Sequence, residues 1–199
     1  MDSIRFFDLL FALLGIIILL PLFIIIALCI KISSKGPVFF KQVRVGKNNI
    51  DFKLYKFRSM YVAAESKGQL TVGGRDNRIT PIGYYIRKFK IDELPQFINV
   101  LLGEMSFVGP RPEVRKYVNL YTAEQLTVLN VLPGITDDAS IAFRNENELL
   151  EKAANPEEYY IQEIMPKKIA LNRKFIAQRT LKNYFSILIA TVITAVKGK

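Results

Sequence analysis

Two adjacent acids in the middle of the chain, in Asp92-Glu93-Leu94-Pro95-Gln96-Phe97, are the residues best suited to chemistry. Asp92 is a good N-cap, and Pro95, which lacks an N–H, is tolerated in a first helical turn. A helix is therefore expected to begin here and to run on through the apolar Phe97, Ile98, Val100, Leu101 and Leu102. A carboxylate at such a start faces the positive end of the helix dipole, which favours its ionised form by roughly 0.3–1 kcal/mol. That suits a nucleophile or a metal ligand; an ordinary acidic helix start is the competing reading.

Cations crowd the same stretch, with Arg87, Lys88 and Lys90 before the acids and Arg111 after them, in Gly109-Pro110-Arg111-Pro112. Prolines on both sides stiffen the backbone that presents Arg111, and the planar guanidinium fork suits phosphate. Two carboxylates among cations, within about 25 residues, fit a metal-bound phosphorylated substrate. A solvated charged face is the alternative.

Composition narrows the classes. Half of the 199 residues are hydrophobic, yet the net charge is +10, which points to an anionic partner beside an apolar phase, such as a membrane surface or a phosphorylated lipid. The basic residues are interleaved with apolar ones and form no recognised nucleic-acid module, so no nucleic acid is expected as partner. Histidine is absent, which excludes Ser-His and Cys-His nucleophiles and His-based zinc sites. The single cysteine, Cys29, allows no intrachain disulfide.

The elements that must position the acids follow from patterning. Residues 9–30 carry no charge and, at about 33 Å as a helix, are long enough to cross a bilayer. A cleaved secretory signal fits badly, because the run is too long. Pro21 deletes one hydrogen bond near the middle and presses on the carbonyl of Ile17, so a kink is expected, either in a spanning helix or in one that turns back. Lys31, Lys35, Lys41 and Arg44 place the C-terminal flank in the cytoplasm under both readings. Residues 38–45 and 50–57, separated by Gly46-Lys47-Asn48-Asn49, read as a hairpin.

Residues 65–80 read as a polar, Gly-rich loop without the ending of a Walker motif. Thr80-Pro81 should start a helix over 82–90, and residues 147–154 a polar one. Asn155-Pro156 should start another helix, which Pro166 ends. The uncharged run 184–196 is too short to span comfortably and is expected in the membrane interface or packed on the domain.

Read in order, four blocks resemble the monotopic phosphoglycosyl transferases, also called bacterial sugar transferases. They are residues 35–46 (KGPVFFKQVRVG), Lys56-Phe57-Arg58-Ser59-Met60, Asp92-Glu93-Leu94-Pro95-Gln96 with Asn99-Val100, and residues 105–112 (MSFVGPRP). The resemblance covers residues 5 to 145 and implies an α+β, mostly helical fold. It implies a re-entrant membrane helix-break-helix over residues 1–31. Residues 32–199 would form a cytoplasmic, membrane-associated catalytic domain, with a short β-hairpin and amphipathic interfacial helices around a small globular core. The location implied is the cytoplasmic face of the bacterial inner membrane.

The implied reaction moves a sugar-1-phosphate from a UDP-sugar to a polyprenyl phosphate, releasing UMP. Asp92 would be the nucleophile, through an aspartyl phospho-sugar, and Glu93 the ligand of a Mg²⁺ cofactor. Lys56, Arg58, Arg87, Pro110, Arg111 and Arg144 would bind substrate. Membrane lipids are further partners, and homodimerisation is left open.

Two departures from the family pattern stand out. Leu20 replaces the serine that often precedes the proline, and Asp137-Asp138-Ala139-Ser140 replaces Gly-Trp-Ala-Gln in a region expected near the sugar, so the sugar is left open. The competing functions are a membrane-anchored scaffold for anionic lipid, without catalysis, and a lipid-linked-sugar hydrolase.

Overall fold

The computed structural model describes residues 3–62, 64 and 76–197. Among these the chain is mostly helical, with a small antiparallel sheet and a long apolar N-terminal helix. That helix, α1 (Ser3–Ser33), is long and apolar enough by length and composition to cross a membrane, and it associates the protein with one. Pro21 lies inside it, and the chain is helical on both sides of the proline. Proline deletes one hydrogen bond, and the turns on either side carry the helix past it.

Both ends of α1 are tied to the rest of the molecule. Near its start, the Asp8 carboxylate is buried and accepts from Ser106 Oγ (3.0 Å), Phe107 N (2.9 Å) and Tyr184 Oη (2.8 Å). At its end, the Arg58 guanidinium donates to the carbonyls of Ser34 (2.7 Å) and Lys35 (2.6 Å). Between these anchors Leu13, Leu14, Ile17, Ile18 and Leu20 are exposed.

The predicted hairpin forms from β1 (Phe39–Val45) and β2 (Asp51–Phe57), with Phe39 opposite Phe57 and Phe40 opposite Lys56. Asn48 and Asn49 take left-handed φ angles of 57° and 63° in its turn, a conformation that asparagine tolerates well. Helix α2 (Pro81–Lys88) starts as expected, with Thr80 Oγ1 accepting from Gly83 N. Residues 65–75 of the expected Gly-rich loop lie outside the described residues.

Helix α3 (Gln96–Leu102) begins three residues later than expected. Asp92 is not its N-cap; it sits in the separate 3-10 turn Ile91–Glu93, and Pro95 precedes the helix without a side-chain cap.

A second pair of strands, which patterning did not suggest, follows. β3 (Ser106–Val108) runs parallel to β4 (Gly134–Thr136), and the short helix α4 (Arg115–Val118) lies between them in sequence. Then come α5 (Asp138–Ala142), α6 (Glu146–Lys152) and α7 (Pro156–Tyr159), the last capped by Asn155 as expected. Pro166 does not end the helix. A π turn, Tyr160–Ile164, leads into α8 (Met165–Ala177), and Pro166 occupies the first turn of α8, where the missing donor costs least. Finally α9 (Leu181–Val196) packs Tyr184 and Ile187 against Ile4, Val108 and Phe175, so part of the apolar tail is domain core.

Candidate active site

Three segments converge on the two acids. β2 supplies Lys56, α2 supplies Arg87, and the loop after β3 supplies Arg111. The register of β2 against α3 is set by Asn99, which is fully buried. Its Oδ1 accepts from Tyr55 N (2.9 Å) and its Nδ2 donates to Lys53 O (2.8 Å), so the amide serves as a short strand partner for β2 one residue before Lys56. Arg111 is held by close backbone packing. Gly109 N donates to Thr136 O (3.0 Å) and Gly134 N to Pro110 O (2.9 Å), and a Cβ on Gly134 would lie 2.1 Å from Gly109 N. Asp137 adds a clamp, with Oδ2 accepting from Arg111 N (3.2 Å) and Oδ1 capping α5 through Ser140 N (2.6 Å).

Glu93 is the acceptor of a compact ion cluster. Both Arg111 Nη atoms donate to its carboxylate, Nη1 at 3.3 Å, and Lys56 Nζ adds a third hydrogen bond at 3.3 Å. Burial alone would push the Glu93 pKa up, but Arg111 and Lys56 outweigh it and hold the group well below the usual carboxylate range. Burial also lowers the Lys56 pKa, with Glu93 opposing the fall.

Asp92 differs from its neighbour. It is buried, accepts no hydrogen bond among the described residues, and has its pKa raised, chiefly by burial and against the pull of Lys56. The expectation that a helix dipole favours its ionised form is thus reversed: the carboxylate is off the helix axis start, and desolvation dominates.

Asp92 lies where two cavities share a wall. One, of about 330 Å³, sits beside the hairpin and the end of α1 and has apolar lining from Pro37, Phe39, Phe40, Met60 and Val62. The other, of about 300 Å³, is rimmed by Lys90, Glu93, Arg111, Arg144 and Lys168. Arg44, Lys56, Arg87 and Asp92 line both.

Of the sequence-expected site residues, Asp92, Glu93, Lys56, Arg87, Arg111 and Arg144 meet around the polar cavity. Pro110 does not line it and acts through its carbonyl on Gly134. Arg58 lines the apolar cavity, but its two Nη atoms are engaged by carbonyls at the end of α1, so it anchors that helix rather than offering a free fork to phosphate. Arg44, Asn99, Asp137 and Lys168 were not foreseen as site residues. Asn99 and Arg44 stood within the family-like blocks, whereas Lys168, far along the chain, carried no local signal.

The donor set accommodates Mg²⁺ in one way. Among the described residues no three His, Cys, Asp or Glu side chains cluster; of the carboxylates lining the polar cavity, Asp92 and Glu93 are adjacent, while Glu146 is paired with Lys168. That matches the mode in which Mg²⁺ takes one or two carboxylates and fills its remaining positions with water and substrate phosphate.

The family model described as bacterial sugar transferase matches residues 3–198. The chain is 49% identical over 120 residues, 60% of its length, to a UDP-N-acetylgalactosamine-undecaprenyl-phosphate N-acetylgalactosaminephosphotransferase of Aeromonas hydrophila. It is 37% identical over 187 residues, 92% of its length, to a UDP-glucose:undecaprenyl-phosphate glucose-1-phosphate transferase of Klebsiella pneumoniae. An Escherichia coli (strain K12) protein of the latter description is 37% identical over 182 residues, 89% of this chain. The aligned parts cover 28%, 40% and 39% of these relatives.

Proposed function

This chain belongs to the bacterial sugar transferase family, and from that premise we propose that it transfers a sugar-1-phosphate from a UDP-sugar to undecaprenyl phosphate and releases UMP. The observation that carries the reading is the buried Asp92 carboxylate, free of hydrogen bonds among the described residues, in the wall between a mixed cavity, apolar along Pro37, Phe39, Phe40, Met60 and Val62, and a cation-rimmed one. The first suits a lipid phosphate arriving beside α1 and the second a nucleotide diphosphate. An ionised carboxylate with little hydration to shed is a stronger nucleophile than one in water.

In the proposed scheme an Asp92 oxygen attacks the β-phosphorus of the donor. The bond from that phosphorus to the bridging oxygen breaks, and UMP leaves with the electron pair. A phosphate oxygen of the lipid then attacks the same phosphorus, the aspartyl bond breaks, and the carboxylate is regenerated without any proton transfer. Arg87, Arg111 and Lys56 offset the phosphate charge at the site. Glu93 would hold Mg²⁺, which when bound supplies charge neutralisation of the diphosphate.

We further propose that both ends of α1 lie on the cytoplasmic face, because Asp8 and the Ser34 carbonyl are bonded to the same folded body. A straight span would carry that polar body into the bilayer. The reaction is tested by incubating purified protein with Mg²⁺, undecaprenyl phosphate and a panel of UDP-sugars. UMP release that stops in Asp92→Asn is expected. No UMP from any donor would overturn the reading. Products released as free sugar phosphate without lipid would favour a hydrolase.

A further inference from the structure

A smaller cavity, of about 150 Å³, lies behind the catalytic one and has no part in the proposed reaction. Its walls include Tyr117 and Tyr160, whose ring centres are 5.0 Å apart, Val128, and Ile169 and Asn172 from α8. About half of this lining is core, and Arg44, Arg111, Glu113, Glu146 and Lys168 add charged groups, but Asn172 stands apart from both. It is 6% exposed, and its Oδ1 has no hydrogen-bond partner. A buried amide oxygen left unpaired is a standing cost to a fold and calls for a reason.

Tyr160 supplies a second irregularity. It opens the π turn Tyr160–Ile164, a distortion that recurs at functional positions, and its hydroxyl donates to Glu113, which also accepts from Arg44 (3.1 Å). The small cavity and the catalytic one share Arg44, Arg111, Glu146 and Lys168, with Lys168 Nζ 2.9 Å from Glu146 Oε2. A molecule whose anionic part sits on Arg111 and Lys168 can therefore extend its other end past this ion pair.

The charges around it are already paired, Arg44 with Glu113 and Lys168 with Glu146, so that other end should be neutral, should suit aromatic neighbours and should carry a donor for Asn172. We propose that the small cavity is a base subsite, in which the uracil ring of the donor lies beside Tyr117 and Tyr160 and its N3–H donates to Asn172 Oδ1. The inference rests on the reading of the donor as a UDP-sugar. Uracil presents an N–H flanked by carbonyls, an edge that an amide side chain can pair.

The test is calorimetric binding of UMP and of ribose 5-phosphate, which lacks the base, to the full chain in detergent. Wild type should bind UMP about tenfold or more tightly than ribose 5-phosphate. Asn172→Leu, of similar volume, should keep its melting temperature, because Oδ1 bonds nothing in the protein. Its UMP affinity should fall about tenfold, to the ribose 5-phosphate level. Val128→Phe, which fills the cavity from another wall, should do the same.

If both variants bind UMP as wild type does, the cavity holds only water and the inference fails while the donor reading stands. Equal binding of UMP and ribose 5-phosphate by wild type would also overturn it. If wild type binds neither UMP nor UDP, the donor reading falls first and takes the inference with it.

Discussion

Replacing each of the two neighbouring acids by its amide should move stability in opposite directions. Glu93 accepts three hydrogen bonds from Arg111 and Lys56, and its side chain is 15% exposed. Glutamine keeps the shape but turns an NH₂ toward two cations and leaves them uncompensated. A charge-assisted hydrogen bond is worth about 1.5–3 kcal/mol, and Arg111, a third exposed, recovers some of the loss by hydration. The net cost of Glu93→Gln is therefore about 2–3 kcal/mol. At about 2–4 °C per kcal/mol this lowers the melting temperature by roughly 4–12 °C. Asp92→Asn removes no hydrogen bond and relieves a buried charge, so its melting temperature should match or exceed that of wild type.

The two effects also differ with pH. The folded pKa of Glu93 is depressed, so its contribution is complete above the unfolded value of about 4.3 and is lost as pH falls through the folded one. The folded pKa of Asp92 is raised, so its cost is complete above that pKa and vanishes below the unfolded value of about 3.9. Circular-dichroism melts in detergent at pH 7 and pH 4 should show any gain from Asp92→Asn shrinking at the lower pH while the loss from Glu93→Gln largely persists. Equal shifts in the two variants, or a stabilised Glu93→Gln, would refute the opposed roles.

Three further outcomes follow from the same geometry. Arg111→Lys keeps the charge but not the fork that grips Glu93, and kcat/KM in the UMP-release assay should fall by about 10- to 100-fold; an unchanged value would remove Arg111 from the site. Asn99→Leu leaves Tyr55 N and Lys53 O unpaired at a fully buried position, so a denaturant titration should show a loss of about 2–4 kcal/mol, and unaltered stability would discount the clamp. With single cysteines at Ser3 or Lys35 in a Cys29→Ser background, an impermeant maleimide should label neither in intact cells and both in opened ones, whereas labelling of the Ser3 site in intact cells would establish a span.

Much of this architecture was legible locally. The hairpin followed from alternation around Gly46-Lys47-Asn48-Asn49, and two helix starts from Thr80, Asn155 and their prolines, because those signals act within a few residues. Two expectations failed for tertiary reasons. Pro166 is accommodated by a π turn, and Asp92 belongs to a 3-10 turn detached from α3. Strands β3 and β4, three residues each, were too short to show a period, and their pairing depends on the close approach of Gly109 and Gly134.

In the site, charge and motif located Asp92, Glu93, Lys56, Arg87, Arg111 and Arg144. What no spacing revealed was that Arg58 would be consumed by the end of α1, or that Asp137, in the stretch that departs from the family, would clamp the Arg111 backbone. Both depend on contacts between segments more than twenty residues apart in sequence.

The central claim, that the Asp92 carboxylate is the nucleophile, is tested most directly by intact-peptide mass spectrometry of wild type incubated with Mg²⁺ and a UDP-sugar but no lipid. The account predicts one equivalent of UMP and a phospho-sugar adduct on the peptide containing Asp92, discharged when undecaprenyl phosphate is added and absent in Asp92→Asn. A transfer that proceeds at the normal rate in Asp92→Asn, or an adduct that maps to another residue, would contradict it.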